Sequence, residues 1–463
     1  MARITQPKRA LSTNPLKSSA PLGAALAYLG LDGAIPLFHG SQGCTAFAMV
    51  HLVRHFKEAV PLQTTAMNEI STILGGAEQI EEAIENLRAR SKPRFIGIAS
   101  TALTETRGED IAGELREIIA RRRDFDDTAI VYASTPDFAG GMEDGWSKAV
   151  AAIVDALLPE TDPVFRDPDL RQVNLLAGSH LTPAEIEELV RLVRSFGLTP
   201  VVLPDLSGSL DGHVSDDWRG TSLGGTPVEA IPAMARSAFT LAIGEAMRPA
   251  AALIEARAFV PFRVFQSVTG LKPVDAFVRT LMGLTHSTDA PPAIRRDRAR
   301  LIDASLDAHF HIGGLKVAIG ADPDLLFALS NTLAGLGAEI VTAVSTTTAN
   351  PVLERVPADE VLIGDLGDFE RAAAVKGAQI LITHAHGRHA AHRLHLPLVR
   401  AGFPIFDRLG AQDICRVGYR GSRAFLYEIA NAVQAVHHRA TPADFGALPI
   451  EKEFEHDPQP APC

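Results

Sequence analysis

The sequence predicts an α/β fold of three Rossmann-like modules, each a mostly parallel sheet flanked by helices. Three observations carry this reading. The chain has 463 residues, more than a single hydrophobic core supports, so several domains are expected. It is 46% hydrophobic and 21% charged, which is ample for buried cores. One pattern recurs along it: a short β-branched run, a turn rich in Gly, Asp, Ser or Pro, then an amphipathic helix. That alternation builds parallel sheets.

The candidate strands are Arg94–Ser100, Ala129–Thr135, Gln172–Ala177, Pro200–Pro204, Lys316–Gly320, Glu339–Ser345, Glu360–Gly364 and Gln379–Thr383. Each is short and apolar, as suits a sheet covered on both faces. Between them the period changes. Ile80, Ile84 and Leu87 share one helical face, with Glu81, Glu82 and Glu85 elsewhere. Thr182 reads as an N-cap, with Pro183 at the first helical position and Glu185 at the third. Ile186, Leu189, Val190 and Val193 form the apolar stripe, and Gly197 closes the helix. The apolar run from Leu22 to Leu31 follows basic residues, as a secretion signal would. Gly23 and Gly30 interrupt it and no small-residue cleavage pattern follows, so a buried helix entered at Pro21 is the expectation.

The first module is expected over residues 1–165, with Asp162-Pro163 and Asp167-Pro168 marking a linker. The second covers 166–310 and ends at the charged stretch Arg295–Arg300 and the helix after it. The third, 311–463, starts at the Lys316 strand and runs to about Arg408. A helical segment around Phe425–Val436 and a loose tail rich in Pro, Glu and Asp complete it. The repetition is architectural; no sequence repeat of fixed period underlies it.

Composition excludes several functions. A net charge of -11 argues against nucleic-acid binding, which needs a basic field. Arg121, Arg122 and Arg123 are followed by Asp124, Asp126 and Asp127, and read as the solvated end of a helix. Three cysteines, Cys44, Cys415 and Cys463, make no disulfide framework, so a reducing, cytoplasmic setting is expected. No apolar run reaches the roughly 20 residues that span a bilayer. Phosphate-cradling, zinc-protease and C-x-x-C motifs are all missing. No catalytic residue is therefore named. Gly178-Ser179-His180 reads as a turn after a strand. His384, His386, His389, His392 and His395 form a cluster on which Arg388 and Arg393 impose positive charge. It reads as structural or partly exposed, with metal or cluster docking as the alternative.

The most informative stretch runs from Pro36 to Thr45. Gly40 and Gly43 bracket Ser41-Gln42 and lead into Cys44, followed by an apolar helix-like run containing Phe47, Met49, Val50 and Val53. The glycines permit a tight turn and a close approach. Cys44 then falls near a helix N-terminus, which favours the thiolate that binds iron. A [4Fe–4S] cluster normally takes four thiolates, and this chain has three cysteines, one of them its last residue. A cluster held by this chain alone is not expected; one shared with another subunit is. Ser41, Gln42 and Thr45 are either hydrogen-bond donors to cluster sulfur or plain turn and cap residues.

Three runs together resemble the nitrogenase component 1 superfamily: Pro36–Thr45, Leu62–Glu69 with Gly75-Gly76, and Gly402–Arg408. Asn14-Pro15-Leu16-Lys17 adds to the likeness, which spans nearly the whole chain. The resemblance is strongest to the β-like half of the scaffold on which the iron–molybdenum cofactor is built. It implies a non-catalytic scaffold subunit in an α2β2 heterotetramer with an α-like partner of the NifE type. A [4Fe–4S] cluster would be shared, with Cys44 as metal ligand and Gly40, Ser41, Gln42, Gly43 and Thr45 around it. The cofactor precursor would be held mainly by the partner, with the nitrogenase iron protein and a precursor-donating cluster protein as transient visitors. In the catalytic β subunit of this superfamily two further cysteines hold a larger cluster; those positions correspond here to Leu62 and a site near Ala102. The alternatives are a subunit of a dark-operative protochlorophyllide or chlorophyllide-type reductase, and a metal-free binding module with a buried Cys44.

Overall fold

The computed structural model describes residues 1–437 except 7–11, 13, 69–75, 109 and 215–218. Cys463, Glu69 and Gly75 therefore lie outside the described residues, as does the C-terminal tail. Three sheets organise the chain, and every strand pair in them is parallel. In the first, Gln63–Thr64, Ala34–His39, Phe95–Ser100 and Ala129–Ala133 lie side by side in that order. In the second the order is Thr199–Leu203, Asp169–Leu176, Ser237–Ile243 and Phe262–Phe265. The third runs Arg3–Thr5, Glu360–Ile363, Glu339–Ser345, Lys316–Gly320, Ile380–Thr383 and Leu398–Arg400. The α/β class is as expected, and Lys316–Gly320 and Glu339–Ser345 match their expected ends.

Six strands went unread in the sequence, for physical reasons. Ala34–His39 is buried throughout and sits between two neighbours, yet contains Pro36, which ordinarily argues against an inner strand. Phe38 O accepts from Thr65 N at 3.0 Å, so strand residues of the same parity, Pro36 included, face the Gln63–Thr64 side. That neighbour begins only opposite Leu37, so no partner there requires the donor Pro36 lacks. Gln63–Thr64, Leu398–Arg400 and Arg3–Thr5 are two or three residues long, too short for a period of two. Arg263 breaks the apolar run of Phe262–Phe265. For Ser237–Ile243 we have no such account.

Helix α1 (Ala20–Leu29) is buried along its whole length with Pro21 in its first turn, the buried-helix alternative for that apolar run. It lies against Met142–Leu157 so closely that a Cβ on Gly23 would overlap the Met142 backbone, and one on Gly145 the Ala20 backbone. The expected capping box at Pro183–Arg194 is present: Thr182 Oγ1 accepts from Glu185 N at 3.2 Å, and Glu185 Oε2 accepts from Thr182 N at 3.0 Å. The charged stretch Arg295–Arg300 lies inside a long helix, Pro292–Ile312, rather than before one. It packs against the C-terminal helix Gly418–His437. The modules are pinned together by buried polar contacts. Asn350 Nδ2 donates to Glu143 Oε1 at 2.7 Å and to Asp324 Oδ1 at 3.1 Å, while Asp324 accepts the backbone N–H of Glu245 and Ala246 at 3.0 Å each. Among the described residues no helix is long and apolar enough to cross a membrane.

Candidate functional site

Cys44 sits where the central strand of the first sheet gives way to helix α2 (Gln42–Phe56), at the third helical residue. Parallel strands deliver their following loops to one sheet end, where ligands of open α/β sheets collect. The turn before Cys44 is clamped from both neighbouring strands. Thr65 Oγ1 accepts from Gly40 N at 3.1 Å and Thr64 Oγ1 donates to Gly40 O at 3.2 Å. On the other side Thr101 Oγ1 donates to His39 O at 3.0 Å. Thr101 leaves no room for a side chain at residue 40: a Cβ on Gly40 would overlap its Oγ1 and come within 2.9 Å of its Cγ2. Gly43 differs. The nearest atom to a Cβ there is Ser41 Oγ at 4.0 Å.

Gln42, Gly43 and Cys44 are exposed together. Ser41 Oγ lies 3.7 Å from Cys44 Sγ, hydrogen-bond range for sulfur, and makes no cap to the helix backbone. Thr45 turns the other way: it is buried, and its Oγ1 has no hydrogen-bond partner. Leu62 is buried just before the Gln63–Thr64 strand. Ala102 opens the helix after the neighbouring strand, next to Thr101. Ala102 thus shares Cys44's sheet end, whereas Leu62 enters its strand from the other side.

Helix α2 buries Thr45, Ala48, Leu52, His55 and Phe56. Its other side carries Phe47, Val50 and Val53 at 70%, 51% and 38% exposure. The apolar run that follows Cys44 in the sequence is thus largely a surface, of the kind that marks a binding face.

The Gly402–Arg408 run, distant in sequence, secures the buried side of α2. His55 Nδ1 accepts from Ile405 N at 2.8 Å, and the His55 ring packs against Phe403 at 4.8 Å. Burial holds His55 neutral, with its pKa lowered to about 3. Arg54 lies 4.1 Å over the Phe406 ring and Arg388 5.0 Å from it. Asp407 pairs with Arg400 at 2.9 Å. The residues of the Asn14–Lys17 segment close the same region, with Leu16 O receiving His384 Nε2 at 3.1 Å.

Between these pieces lies a cavity of about 540 Å³ that Cys44 borders, with Lys17, His51, Arg54, Asp137 and His386 contributing its polar lining. Asp137 Oδ1 is buried without a hydrogen-bond partner, and burial raises that carboxyl's pKa. Burial, reinforced by nearby positive charge, lowers the pKa of His51 and His386. The histidine cluster thus divides. His384 is buried and held at about 4 by burial, His386 faces the cavity, and His389, His392 and His395 are exposed. Nothing in the sequence pattern placed His51 and His386 together; their rings lie 6.3 Å apart across two modules.

The donor set is therefore one exposed thiol. Cys415 is half-buried, donates to Val417 O at 3.7 Å, and is pushed up to about 12 by burial, so it is no thiolate at neutral pH. Among the described residues no group of three or more His, Cys, Asp or Glu is placed to hold a metal ion. This arrangement suits a metal–sulfur group completed by donors from another chain.

Comparison with known proteins places this geometry in context. Residues 19–434 match the family described as nitrogenase component 1 type oxidoreductase. The nitrogenase iron-molybdenum cofactor biosynthesis protein NifN of Rhodobacter capsulatus is 70% identical over 463 residues, covering 100% of both chains. The protein of that name from Klebsiella pneumoniae is 38% identical, covering 95% of this chain and 94% of its own. Among solved structures, one titled "Nitrogenase Cp1 at pH 6.5" superposes with a TM-score of 0.87 at 29% identity, covering 96% of this chain and 98% of that one.

Proposed function

Since the chain belongs to the nitrogenase component 1 type oxidoreductase family, and its NifN relatives show a role in iron–molybdenum cofactor biosynthesis, we propose that it is the β-like half of the assembly scaffold. In this reading it forms a cytoplasmic α2β2 complex with an α-like, NifE-type partner. Cys44 supplies one thiolate to a [4Fe–4S] cluster and the partner supplies the rest. The maturing precursor rests mainly in the partner, and the nitrogenase iron protein and a precursor donor dock transiently. When bound, the cluster supplies one-electron relay.

This chain's own residues position and shield. The Thr64, Thr65 and Thr101 clamps hold the turn, Ser41 offers a hydroxyl to the sulfur, and the exposed side chains of α2 seal the junction against water. The single observation that carries the reading is the pairing of an exposed thiol with an exposed apolar helix face, Phe47, Val50 and Val53. Four-thiolate chemistry leaves Cys44 incomplete by itself, and an apolar surface of that kind is where a second chain binds.

The test is anaerobic co-purification with the α-like partner, followed by iron counting and EPR of the reduced complex. Cys44→Ala is expected to weaken or abolish the cluster signal, whereas Cys415→Ala leaves it. An unchanged signal in Cys44→Ala would remove the ligand assignment.

A further inference from the structure

We propose that the second module carries a carboxylate-binding crevice, and that Asp324 of the third module is the internal ligand that fills it. In the second sheet the chain crosses from Asp169–Leu176 first to Thr199–Leu203 on one side, then to Ser237–Ile243 on the other. The loops leaving Asp169–Leu176 and Ser237–Ile243 therefore border the crevice where open parallel sheets take their ligands. One lip is Gly178-Ser179-His180, a turn that the cluster reading leaves unused. The other is Gly244-Glu245-Ala246. The lips lie so close that a Cβ on Gly178 would meet Ile243 O at 2.5 Å.

Gly244 has a φ of 94°, which side chains other than glycine rarely adopt, and the N–H groups of Glu245 and Ala246 follow it into the crevice. Glu245 N donates to Asp324 Oδ1 and Ala246 N to Oδ2, each at 3.0 Å, and Asn350 Nδ2 donates to Oδ1 at 3.1 Å. Two helix starts flank the carboxylate. One begins at Glu245 and continues as Arg248–Ala258; the other is Pro323–Ala334, which carries Asp324 in its first turn. Their positive ends favour an anion. Burial raises the Asp324 pKa to about 6, so the group is ionised at pH 7.5. Glu143 Oε2 accepts from Asp324 N at 2.9 Å. Burial and the neighbouring Asp324 raise Glu143 well above the usual carboxylate range, which lessens its repulsion of that anion. A Cβ on Gly244 would overlap Asp324 Oδ2 and come within 3.0 Å of His180 Cε1. His180 Nδ1 and Ser179 Oγ are buried without partners and line a cavity of about 60 Å³, so the crevice has more polar capacity than Asp324 uses. The third module also supplies His384 and His386 to the cavity beside Cys44, so the plug helps to set one wall of that cavity.

Removing the plug leaves a site for a free carboxylate. In Asp324→Ala, formate replaces the missing carboxyl group, whereas the methyl of acetate would coincide with the alanine Cβ. In Asp324→Gly, acetate fits. The full-length chain at pH 7.5 is followed by hydrogen exchange. The Glu245 and Ala246 amides are expected to exchange at least ~10-fold faster in Asp324→Ala. Sodium formate restores their protection with half-saturation at about 1 mM or above, the bound for so small a ligand. Formamide, similar in shape but uncharged, does not, and the parent chain responds to neither. Acetate restores protection in Asp324→Gly only. Asp324→Asn keeps the volume but has one acceptor oxygen, so one of the two amides stays protected and formate changes nothing. If Asp324→Ala folds only in formate, the refolded fraction against formate concentration replaces exchange as the readout. Unchanged exchange of both amides in Asp324→Ala would overturn the proposal. So would equal rescue by formate and formamide, acetate acting alike on the alanine and glycine variants, or an Asp324→Ala chain that formate neither protects nor refolds.

Discussion

Replacing Gly40 with alanine should loosen the Cys44 turn for a purely steric reason. Gly40 is not among the residues with positive φ, so alanine can adopt its backbone conformation. The added methyl would overlap Thr101 Oγ1 and approach Thr101 Cγ2 to 2.9 Å. Overpacking a fixed site of this kind costs about 1–3 kcal/mol. Thr101 cannot retreat freely, because its hydroxyl donates to His39 O at 3.0 Å; breaking that bond costs about 1 kcal/mol. The local opening of residues 34–56 is read by hydrogen exchange, and exchange there should rise about 5- to 150-fold, at 1.4 kcal/mol per decade. Gly43→Ala is the control. Its methyl meets nothing closer than Ser41 Oγ at 4.0 Å, so exchange changes by less than about threefold. The decisive arm is Thr101→Ala. In the Gly40→Ala background it removes both clashing atoms, so the double variant should be at least ~1 kcal/mol more stable than the sum of the two single effects. A double variant that equals that sum to within ~0.5 kcal/mol would refute the packing argument.

Three further predictions follow from the same site. Maleimide labelling of the isolated chain at pH 7, read by mass spectrometry, should modify Cys44 at least ~100-fold faster than Cys415, whose thiol burial pushes up to about 12; equal rates would contradict the burial. His55, held at about 3 in the folded chain, binds its proton near 6.5 once unfolded. The unfolded state therefore holds more protons between those values, and stability falls as pH drops below about 6.5. His55→Asn keeps an acceptor for Ile405 N–H and should flatten the slope of unfolding free energy by about 1.4 kcal/mol per pH unit between pH 4 and 6. An unaltered slope in urea titrations would place the acid sensitivity elsewhere. Phe47→Asp and Val50→Asp, on the exposed side of α2, should leave the isolated chain's stability within ~0.5 kcal/mol but weaken binding to the α-like partner at least ~10-fold. Undiminished co-purification would show that this face is not the junction.

How much of this could be read from the sequence depends on whether the governing interaction is local. Lys316–Gly320 and Glu339–Ser345 are buried parallel strands bounded by turn residues, and their apolar runs declare them. The Thr182–Glu185 capping box is equally local. Ala34–His39 is not, because the tolerance for Pro36 comes from where a neighbouring strand happens to begin. In α2, Phe47 and Val50 look in sequence like core residues; an apolar side chain does not state which molecule covers it. The bond from Ile405 N to His55 joins residues 350 apart, and no periodicity encodes that contact. The same holds for the Arg54–Phe406 stack and for the meeting of His51 with His386.

The placement of Arg3–Thr5 at the edge of the third sheet has a consequence for synthesis. Thr5 bonds Glu360 across 355 residues, so Arg3–Thr5 docks only after that stretch has been translated. At about 5–20 residues per second that delay is roughly 20–70 s. Until then Arg3–Thr5 must wait without its sheet. A disruptive change in Arg3–Thr5 would therefore be felt at the edge of the third sheet.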